Sequence, residues 1–399
     1  MARALLGGRR RGPGNPEGVP RSIGGSELPP HGSGLAMTQA LEVSNLSVRF
    51  RTESGFVHAV DDVSFEVEPG EVLAIVGESG CGKTVTALSV VGLLPPTATV
   101  SGHVWLEGED LTTLTPARLR AIRGKQVGFV FQEPMTSLNP VLKVGRQVGE
   151  VLRRHEGLGR AAARRRTVEL FELVGIPEPE RRLDEYPHQL SGGLRQRVMI
   201  AMAVACDPRV LIADEPTTAL DVTIQAGILD LLRDLRQRLG TAIVLITHDL
   251  GVVADVADRV MVMYAGRKVE EAGATDLFAF PQHPYTLGLL GAVPNPNRPS
   301  DNGRLQEIPG IVPRLDRRLD YCPFAPRCPR ADERSRTQRP ELEAVRAGHL
   351  VACFHPGSED HGANSTLEGR RRGSGNPEGG PRSIGGSELS PHGSGRGDG

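Results

Sequence analysis

One eight-residue run has the residue types and spacing of a phosphate-binding loop. Its glycines would let backbone N–H groups wrap around phosphate oxygens, and a helix that begins at its end would add the positive end of its dipole. Lys83 would reach the β- and γ-phosphates, and the Thr84 hydroxyl would ligate Mg²⁺. We interpret Cys81 as a spacer, because such a loop binds through its backbone. The run consists of Gly77, Glu78, Ser79, Gly80, Cys81, Gly82, Lys83 and Thr84.

Two neighbouring carboxylates could supply the second part of this chemistry. Asp214 and Glu215 directly follow the apolar run 210–213. They therefore lie at the carboxyl end of a predicted strand, where ligands of open α/β sheets bind. We expect Asp214 to hold Mg²⁺ and Glu215 to polarise an attacking water molecule. Acidic residues at strand ends are common, so this pair indicates a catalytic site only in combination with the phosphate loop.

Alternating strand and helix patterns predict the α/β fold of a P-loop NTPase. The apolar runs 71–77, 210–213 and 242–247 are typical of parallel strands that are covered on both faces. The phosphate loop lies between the first of these runs and a helical pattern, as its mechanism requires. From about 144 to 174 the pattern is helical and rich in arginine, which predicts a helical insertion.

The run 190–196, Leu-Ser-Gly-Gly-Leu-Arg-Gln, stands about twenty residues ahead of the acidic strand. It resembles the signature sequence of ABC ATPases, in which a serine and two glycines open a helix towards an anion. The resemblance implies that Ser191, Gly192 and Gly193 contact the γ-phosphate of an ATP molecule held by another subunit. Leu194 replaces the glutamine that is commonest in the family, and an apolar residue there is typical of the peptide-importer branch.

Other elements of the ABC ATPase family follow in the expected order. By resemblance, Gln132 belongs to the Mg²⁺ and water site and couples it to membrane subunits, whereas His248 is a catalytic residue that contacts the γ-phosphate. Asp221 would lie at the dimer interface, and Phe50 matches the position whose ring stacks on adenine. Taken singly, a glutamine, histidine or phenylalanine is more often structural than functional. The prediction therefore depends on their joint occurrence.

The resemblance implies that two ATPase subunits act together. The loop of Lys83 and the helix of Ser191 would belong to different chains that enclose one ATP, which closes the dimer until it is hydrolysed. Runs at 131–140, 215–225 and 280–294 closely resemble the ATPases of oligopeptide, dipeptide and nickel importers. The implied function is ATP hydrolysis that energises import of peptides or related small solutes such as nickel complexes. The implied partners are a second, related but distinct ATPase, two membrane permeases and, indirectly, an extracytoplasmic solute-binding protein.

A short extension with three cysteines follows the predicted ATPase domain. In this importer family such an extension can carry an iron–sulfur cluster on four cysteines. Ser335 stands here at the fourth position, and serine is a poor substitute for a thiolate ligand of iron. His355 could complete a site, and three thiolates with one imidazole would also suit zinc. A cluster, a zinc site and a metal-free extension therefore stay open. The cysteines concerned are Cys322, Cys328 and Cys353.

Composition bears on the remaining functional classes. The 399 residues carry a formal net charge of −1, so there is no broad electrostatic footprint for nucleic acid. No run approaches the roughly 18 apolar residues of a membrane-spanning helix, and the N-terminus lacks the pattern of a secretory signal. The five cysteines do not indicate a disulfide framework. We predict a peripheral protein at the cytoplasmic face of the cell membrane with no nucleic-acid partner.

Two rival functions remain: a soluble ABC-type ATPase that acts on nucleic acid or ribosomes, and an exporter ATPase. The single nucleotide domain, the near-zero charge and the importer-like extension disfavour the first rival. The lack of fused membrane segments disfavours the second. The sequence does not identify the transported solute, because in such importers other subunits contact it.

Two nearly identical polar segments flank the predicted domain. The run 8–34, rich in Gly, Pro, Ser and Arg, recurs at 369–395 with differences at only three positions. Neither copy could bury a core, and we predict that ordered protein begins at Met37. The predicted segments are a disordered tail (1–36), an ABC ATPase domain (37–293) with a helical subdomain (about 144–190), the C-terminal extension (294–356) and a second disordered tail (357–399).

Overall fold

A computed structural model describes residues 39–53, 55–218, 220–292 and 308–357 of the chain. The first predicted tail, the proposed start at Met37, most of the proline-rich link and all but the first residue of the second tail lie outside these residues. The strands are β1 (Leu41–Thr52), β2 (Gly55–Val67), β3 (Val72–Val76), β4 (Ala98–Leu106), β5 (Glu109–Asp110), β6 (Val127–Val130), β7 (Val210–Asp214), β8 (Ala242–Ile246), β9 (Arg259–Tyr264), β10 (Arg267–Gly273), β11 (Glu343–Arg346) and β12 (His349–Val351). The helices are α1 (Lys83–Val90), α2 (Pro116–Ile122), α3 (Pro134–Ser137), α4 (Val144–His155), α5 (Arg160–Leu173), α6 (Pro179–Arg182), α7 (Gly192–Ala203), α8 (Val222–Leu239), α9 (Leu250–Val256), α10 (Ala274–Ala279), α11 (Pro284–Gly291) and α12 (Glu333–Thr337).

The larger of the two sheets combines a parallel core with an antiparallel edge. Its strand order is β11-β12-β10-β9-β3-β8-β7-β6. The five strands from β9 to β6 in this order pair in parallel, whereas β10, β12 and β11 add to them antiparallel. Because β11 and β12 come from the C-terminal extension, the extension continues the sheet that carries the phosphate loop. The smaller sheet is antiparallel, with the order β2-β1-β4-β5.

Strand β7 shows why the parallel strands are apolar at every position. Leu211 and Ala213 lie in the core cluster that includes residues of α4, α5, α7 and α8, whereas Val210 and Ile212 lie in the cluster shared with the smaller sheet. Successive side chains of a strand point to opposite faces, so a strand covered on both faces needs apolar residues throughout. The three predicted apolar strands are thus confirmed as β3, β7 and β8, each buried along its length.

The predicted helical pattern at 144–174 corresponds to α4 and α5. Helix α4 buries Val144, Val148 and Leu152, a spacing that places apolar side chains on one face. Leu170 and Phe171 of α5 pack in the same core cluster. The assignment of this region as a separate subdomain stays a prediction. Among the residues that the structure describes, no helix is long and apolar enough to cross a membrane.

A buried carboxylate ties the C-terminal extension to the larger sheet. Glu270 of β10 is fully buried and accepts hydrogen bonds from the backbone N–H groups of Gln282 (2.7 Å) and His283 (3.0 Å). Its Oε1 also lies 2.7 Å from Nε2 of His349 on β12. An unpartnered carboxylate in this position would be strongly unfavourable. These three contacts compensate for its burial and link the two segments.

Replacing Glu270 by alanine should lower the free energy of unfolding by about 3 kcal/mol or more, because two buried N–H groups and one imidazole lose their acceptor. Urea unfolding followed by circular dichroism would measure the change. The matched control is Glu343→Ala, an exposed carboxylate on β11, which should change stability by less than about 0.5 kcal/mol. Similar small effects for both variants would contradict this role of Glu270.

Candidate functional site

The predicted phosphate loop joins β3 to α1, and two of its glycines are required by close packing. Gly77 has φ 150°, and a Cβ atom there would lie 2.2 Å from the carbonyl oxygen of Met263. Gly82, the N-cap of α1, has φ 100°, and a Cβ atom there would lie 2.5 Å from the carbonyl oxygen of Ala59. Residues with a side chain fit neither position. The loop therefore lies directly against two other backbone segments.

Lys83 folds back over the loop that precedes it. Its Nζ donates to the carbonyl oxygens of Gly77 (2.7 Å) and Glu78 (3.0 Å). The residue is only 5% exposed, so its ammonium group lies within the loop, ready to meet an anion. Burial raises the pKa of the neighbouring Cys81 thiol against the opposing effect of Lys83. A thiol held neutral in this way is consistent with the interpretation of Cys81 as a spacer.

Thr84 and Asp214 meet beside the phosphate loop. Thr84 Oγ1 donates to Asp214 Oδ1 over 3.2 Å, although the two residues are 130 positions apart. Burial raises the pKa of the Asp214 carboxyl above its usual 3.8; the charge of Glu215 acts in the same direction, and the Thr84 hydrogen bond opposes it. Mg²⁺ prefers oxygen ligands, and in nucleotide sites it takes a carboxylate together with phosphate oxygens. The pair therefore fits a magnesium ion that arrives with a nucleotide.

Three polar side chains converge on Glu215. Gln132 Nε2 donates to Glu215 Oε2 over 3.0 Å, and Thr218 Oγ1 donates to the same oxygen over 2.8 Å. His248 Nδ1 lies 3.3 Å from the other oxygen, Oε1. The backbone of Glu215 has φ 46°, a left-handed conformation that costs a non-glycine residue about 1–3 kcal/mol. Such strain is typical of functional positions, and here it accompanies a carboxylate with three polar neighbours.

Sheet topology explains why these residues meet. The phosphate loop follows β3, His248 follows β8, Asp214 and Glu215 end or follow β7, and Gln132 follows β6. These four strands are neighbours in the order β3-β8-β7-β6 and pair in parallel. Parallel neighbours bring their carboxyl ends to the same edge of a sheet. Residues from four distant parts of the chain therefore form one site.

The predicted interface residues lie at the starts of two other helices, and all but Gly193 are exposed. Ser191 is the N-cap of α7, where its Oγ accepts a hydrogen bond from the Leu194 N–H over 3.3 Å. Ser191 and Gly192 are exposed, whereas Gly193 is buried. Asp221 is an exposed N-cap of α8 and makes no side-chain capping bond. Within the described part of the chain, neither Ser191 nor Asp221 forms a hydrogen bond to the phosphate loop, and their roles across a dimer interface stay predictions.

Phe50 lies on β1 of the smaller sheet, where it pairs with Val57 and Ala98. Its ring is half-buried against the core cluster shared by the two sheets. A partly exposed aromatic residue can present one face to a ligand. The stacking of Phe50 on adenine stays a prediction.

The described residues give no support to a metal site at the cysteines of the extension. No group of three or more His, Cys, Asp or Glu side chains in the described ranges is arranged to hold a metal ion. Burial raises the pKa of the Cys322 and Cys328 thiols, and it raises the pKa of Cys353 to about 11. The three cysteines are free thiols, and because no such group of side chains is present in the described ranges, the expectation of an iron–sulfur cluster or zinc is not supported.

Ser335, which stands where the family's fourth cysteine would fall, and His355, the fourth ligand considered, both contact Asp332. The Ser335 hydroxyl donates to the Asp332 carbonyl oxygen over 2.8 Å and accepts from the Asp332 N–H over 2.9 Å, as part of the cap of α12. His355 Nε2 lies 2.9 Å from Asp332 Oδ2. Ser335 thus has a structural role in capping α12, and His355 pairs with a carboxylate.

Three residues at the site were not predicted. Thr218 donates to Glu215, the Tyr285 hydroxyl accepts from the Glu78 N–H over 2.7 Å, and the Arg327 guanidinium pairs with the Glu78 carboxylate. Tyr285 and Arg327 are 207 and 249 positions away from Glu78. Both belong to runs that resemble importer ATPases, but no local pattern signals a contact over such a separation.

Replacing Asp214 by asparagine should make the nucleotide-free protein more stable at pH 7, because the substitution removes a buried ionised carboxyl. In the folded state the pKa of the Asp214 carboxyl lies above 3.8. As the pH falls through this raised pKa, the folded wild type binds a proton, and the cost of burying the charge is removed. The stabilisation of Asp214→Asn relative to the wild type should therefore be full at pH 7 and disappear below pH 3.8, the pKa of the carboxyl in the unfolded chain. Urea unfolding at several pH values would measure it.

Asp255→Asn, at an exposed position of α9, is the matched control and should show no such effect. A destabilised Asp214→Asn variant at pH 7, or a stabilisation that does not change with pH, would contradict this account of the buried carboxyl.

Two family profiles match different parts of the chain. The first is described as "ABC transporter" and matches residues 60–218; the second is described as "Oligopeptide/dipeptide transporter, C-terminal region" and matches residues 269–334. The first match includes the phosphate loop, Gln132, Asp214, Glu215 and Thr218, whereas His248 lies beyond it. The second includes Tyr285 and Arg327.

Curated relatives and solved structures agree with these matches. A probable peptide ABC transporter ATP-binding protein of Sinorhizobium fredii is 52% identical over 316 residues, which cover 79% of this chain and 94% of that protein. The oligopeptide transport ATP-binding protein AppD of Bacillus subtilis is 50% identical over 320 residues, 80% of this chain and 97% of that protein. A dimeric ATP-binding cassette solved in a post-hydrolysis state with ADP and Pi matches with a TM-score of 0.54 and 29% identity, and covers 59% of this chain and 98% of that one. The chain therefore belongs to the ABC transporter ATPases, in the branch that carries the oligopeptide/dipeptide transporter C-terminal region.

Proposed function

We propose that this chain binds and hydrolyses ATP to energise the import of peptides, or of related small solutes such as nickel complexes, through a membrane ABC transporter. The observation that carries this proposal is the convergence of Gln132, Thr218 and His248 on Glu215, next to the phosphate loop. The names of the relatives support import: a putative peptide import ATP-binding protein of Brucella abortus is 56% identical over 295 residues, 74% of this chain and 88% of that protein.

The phosphate loop would hold the triphosphate of ATP. Lys83 and the backbone N–H groups at the start of α1 supply the positive charge and hydrogen-bond donors that phosphate oxygens need. Thr84, Asp214 and the amide oxygen of Gln132 would hold Mg²⁺, which neutralises the charge of the phosphates when it is bound. The ring of Phe50 would stack on the adenine.

Glu215 would polarise the water that attacks the γ-phosphate. Gln132 and Thr218 both donate to Oε2, so they fix the orientation of the carboxylate. Oε1, which faces His248, would accept a hydrogen bond from the attacking water, while His248 would contact the γ-phosphate. Orientation of the nucleophile is the main task of a protein in phosphoryl transfer.

A second ATPase subunit would complete the site. The exposed start of α7, with Ser191, Gly192 and Gly193, would contact the γ-phosphate of the nucleotide on the partner, and Asp221 would lie at the interface. We propose a related but distinct ATPase as the partner, together with two permeases and, indirectly, an extracytoplasmic solute-binding protein. The chain would then be a peripheral protein at the cytoplasmic face of the inner membrane, with no nucleic-acid partner.

Glu215→Gln should lower kcat for ATP hydrolysis by at least about 100-fold, because glutamine cannot polarise the water as a carboxylate does. ATP affinity should stay within about threefold, since the phosphate loop is unchanged, and ATP should trap the closed ATPase dimer. Phosphate release and analytical ultracentrifugation with the co-expressed partner ATPase would measure the two effects. Glu172→Gln, on the exposed surface of α5, is the control and should behave like the wild type. Wild-type turnover of Glu215→Gln would contradict the proposed role.

Purification of the tagged chain from solubilised membranes should recover two permeases and a second, different ATPase. The expectation follows from the proposed dimer of two ATPase subunits, in which this chain supplies only half of each nucleotide site. Mass spectrometry of the purified material, with and without ATP, would identify the subunits, and the Glu215→Gln variant should retain the second ATPase more strongly when ATP is present. Recovery of ribosomes or nucleic acid in place of permeases would contradict the importer assignment.

A further inference from the structure

Glu78, the residue after the first glycine of the phosphate loop, is held by three side chains. Its N–H donates to the Tyr285 hydroxyl over 2.7 Å, and its carbonyl oxygen accepts from Lys83 Nζ over 3.0 Å. Its carboxylate forms a two-pronged pair with Arg327, with Nη1 at 2.6 Å from Oε2 and Nη2 at 2.9 Å from Oε1. One residue of the loop thus has every polar group engaged, and one of its partners comes from the C-terminal extension.

The Arg327 guanidinium is fixed in its own position. The side chain is 4% exposed, and it donates to the carbonyl oxygens of Pro309 through Nε (2.9 Å) and Ile308 through Nη2 (2.9 Å). The hydrogen bonds to Glu78 raise the pKa of Arg327 further above its ordinary value. Because arginine presents its donors in a planar fork, these contacts leave the guanidinium one orientation.

An aromatic cluster fills the space between the extension and the loop. Its members are Tyr264 of β9, Tyr285 of α11 and Phe324 of the extension, with ring centroids 4.6–5.5 Å apart. All three are at most 2% exposed. The Arg327 guanidinium carbon lies 5.8 Å from the centre of the Tyr264 ring and 6.0 Å from that of Phe324. Because such close packing leaves little freedom of movement, the cluster fixes the extension relative to Tyr285 and Arg327, the two residues outside the loop that hold Glu78.

The charge of Glu78 would oppose binding of a polyanion. A carboxylate at the second position of a phosphate loop lies close to the phosphates, and like charges repel strongly where water is partly excluded. Arg327 neutralises this carboxylate with good geometry. Pairing with Arg327 also turns the carboxylate towards the extension, so the N–H groups of the loop remain available to the ligand.

We propose that Arg327 is a positioning residue of the nucleotide site, and that the C-terminal extension is therefore a working part of that site. Arg327 acts through Glu78: it neutralises this carboxylate and turns it away from the N–H groups of the loop that receive the triphosphate. The inference rests on the proposed function, because it assumes that the loop binds ATP.

The test is a mutant cycle on the full chain, with a fluorescent ATP analogue and Mg²⁺ as the probe. Arg327→Gln should raise the Kd for the nucleotide on the order of tenfold, since it leaves Glu78 charged and unpaired. Adding Glu78→Gln to this variant should return the Kd to within about twofold of the wild type, because the repelling charge is gone. Arg330→Gln is the control: Arg330 also belongs to the extension, but its side chain donates to the carbonyl oxygen of His355.

Each outcome decides the proposal. Wild-type affinity of Arg327→Gln, or a weakened affinity that Glu78→Gln does not restore, would overturn it, because a merely structural arginine would not be rescued by removing a charge. If Arg327→Gln does not fold, Arg327→Lys replaces it in the cycle and should show a smaller weakening with the same rescue. If the wild type itself failed to bind the nucleotide, the proposed function would fall first and this inference with it.

Discussion

The structure depends on one constraint: parallel strands that are buried on both faces must end together at one edge of the sheet. Their side chains pack into three core clusters, so polar chemistry is confined to the residues at the ends of the strands. The phosphate loop after β3, the carboxylates at the end of β7, Gln132 after β6 and His248 after β8 all obey this rule. The site is therefore a consequence of how the sheet is packed, and four of its five parallel strands, β3, β8, β7 and β6, each contribute one part of it.

The C-terminal extension is integrated into this arrangement. Its hairpin adds two strands to the larger sheet, its Phe324 joins the third core cluster with Tyr264 and Tyr285, and its His349 completes the partners of Glu270. Backbone pairing, apolar packing and a contact with a buried carboxylate thus all hold the extension on the larger sheet. The family profile that matches residues 269–334 begins within β10, which agrees with a unit that crosses from the ATPase sheet into the extension.

Features that depend on neighbouring residues were predictable from the sequence, and those that depend on distant residues were not. The phosphate loop and the three apolar strands are local patterns, so their type and position were identified. The contact of Thr84 with Asp214 could be anticipated because both follow strands of one parallel sheet. By contrast, the contacts of Arg327 and Tyr285 with Glu78 join segments more than 200 positions apart. The metal that the resemblance implied for the extension is not supported, because no group of metal-ligating side chains is assembled in the described residues, and the sequence could not show how the three cysteines and His355 are arranged in space.

The hairpin of the extension, β11 and β12, also forms one edge of the larger sheet. β10 has seven residues, and without the extension its outer side would offer a row of unpaired backbone groups; the strand that takes the outermost place, β11, has only four. Long unpaired borders recruit strands from other chains, and natural proteins avoid this by making border strands short. The segment that reaches the phosphate loop through Arg327 thus also leaves the larger sheet with a short border strand on this side, which offers few backbone groups to a strand of another chain.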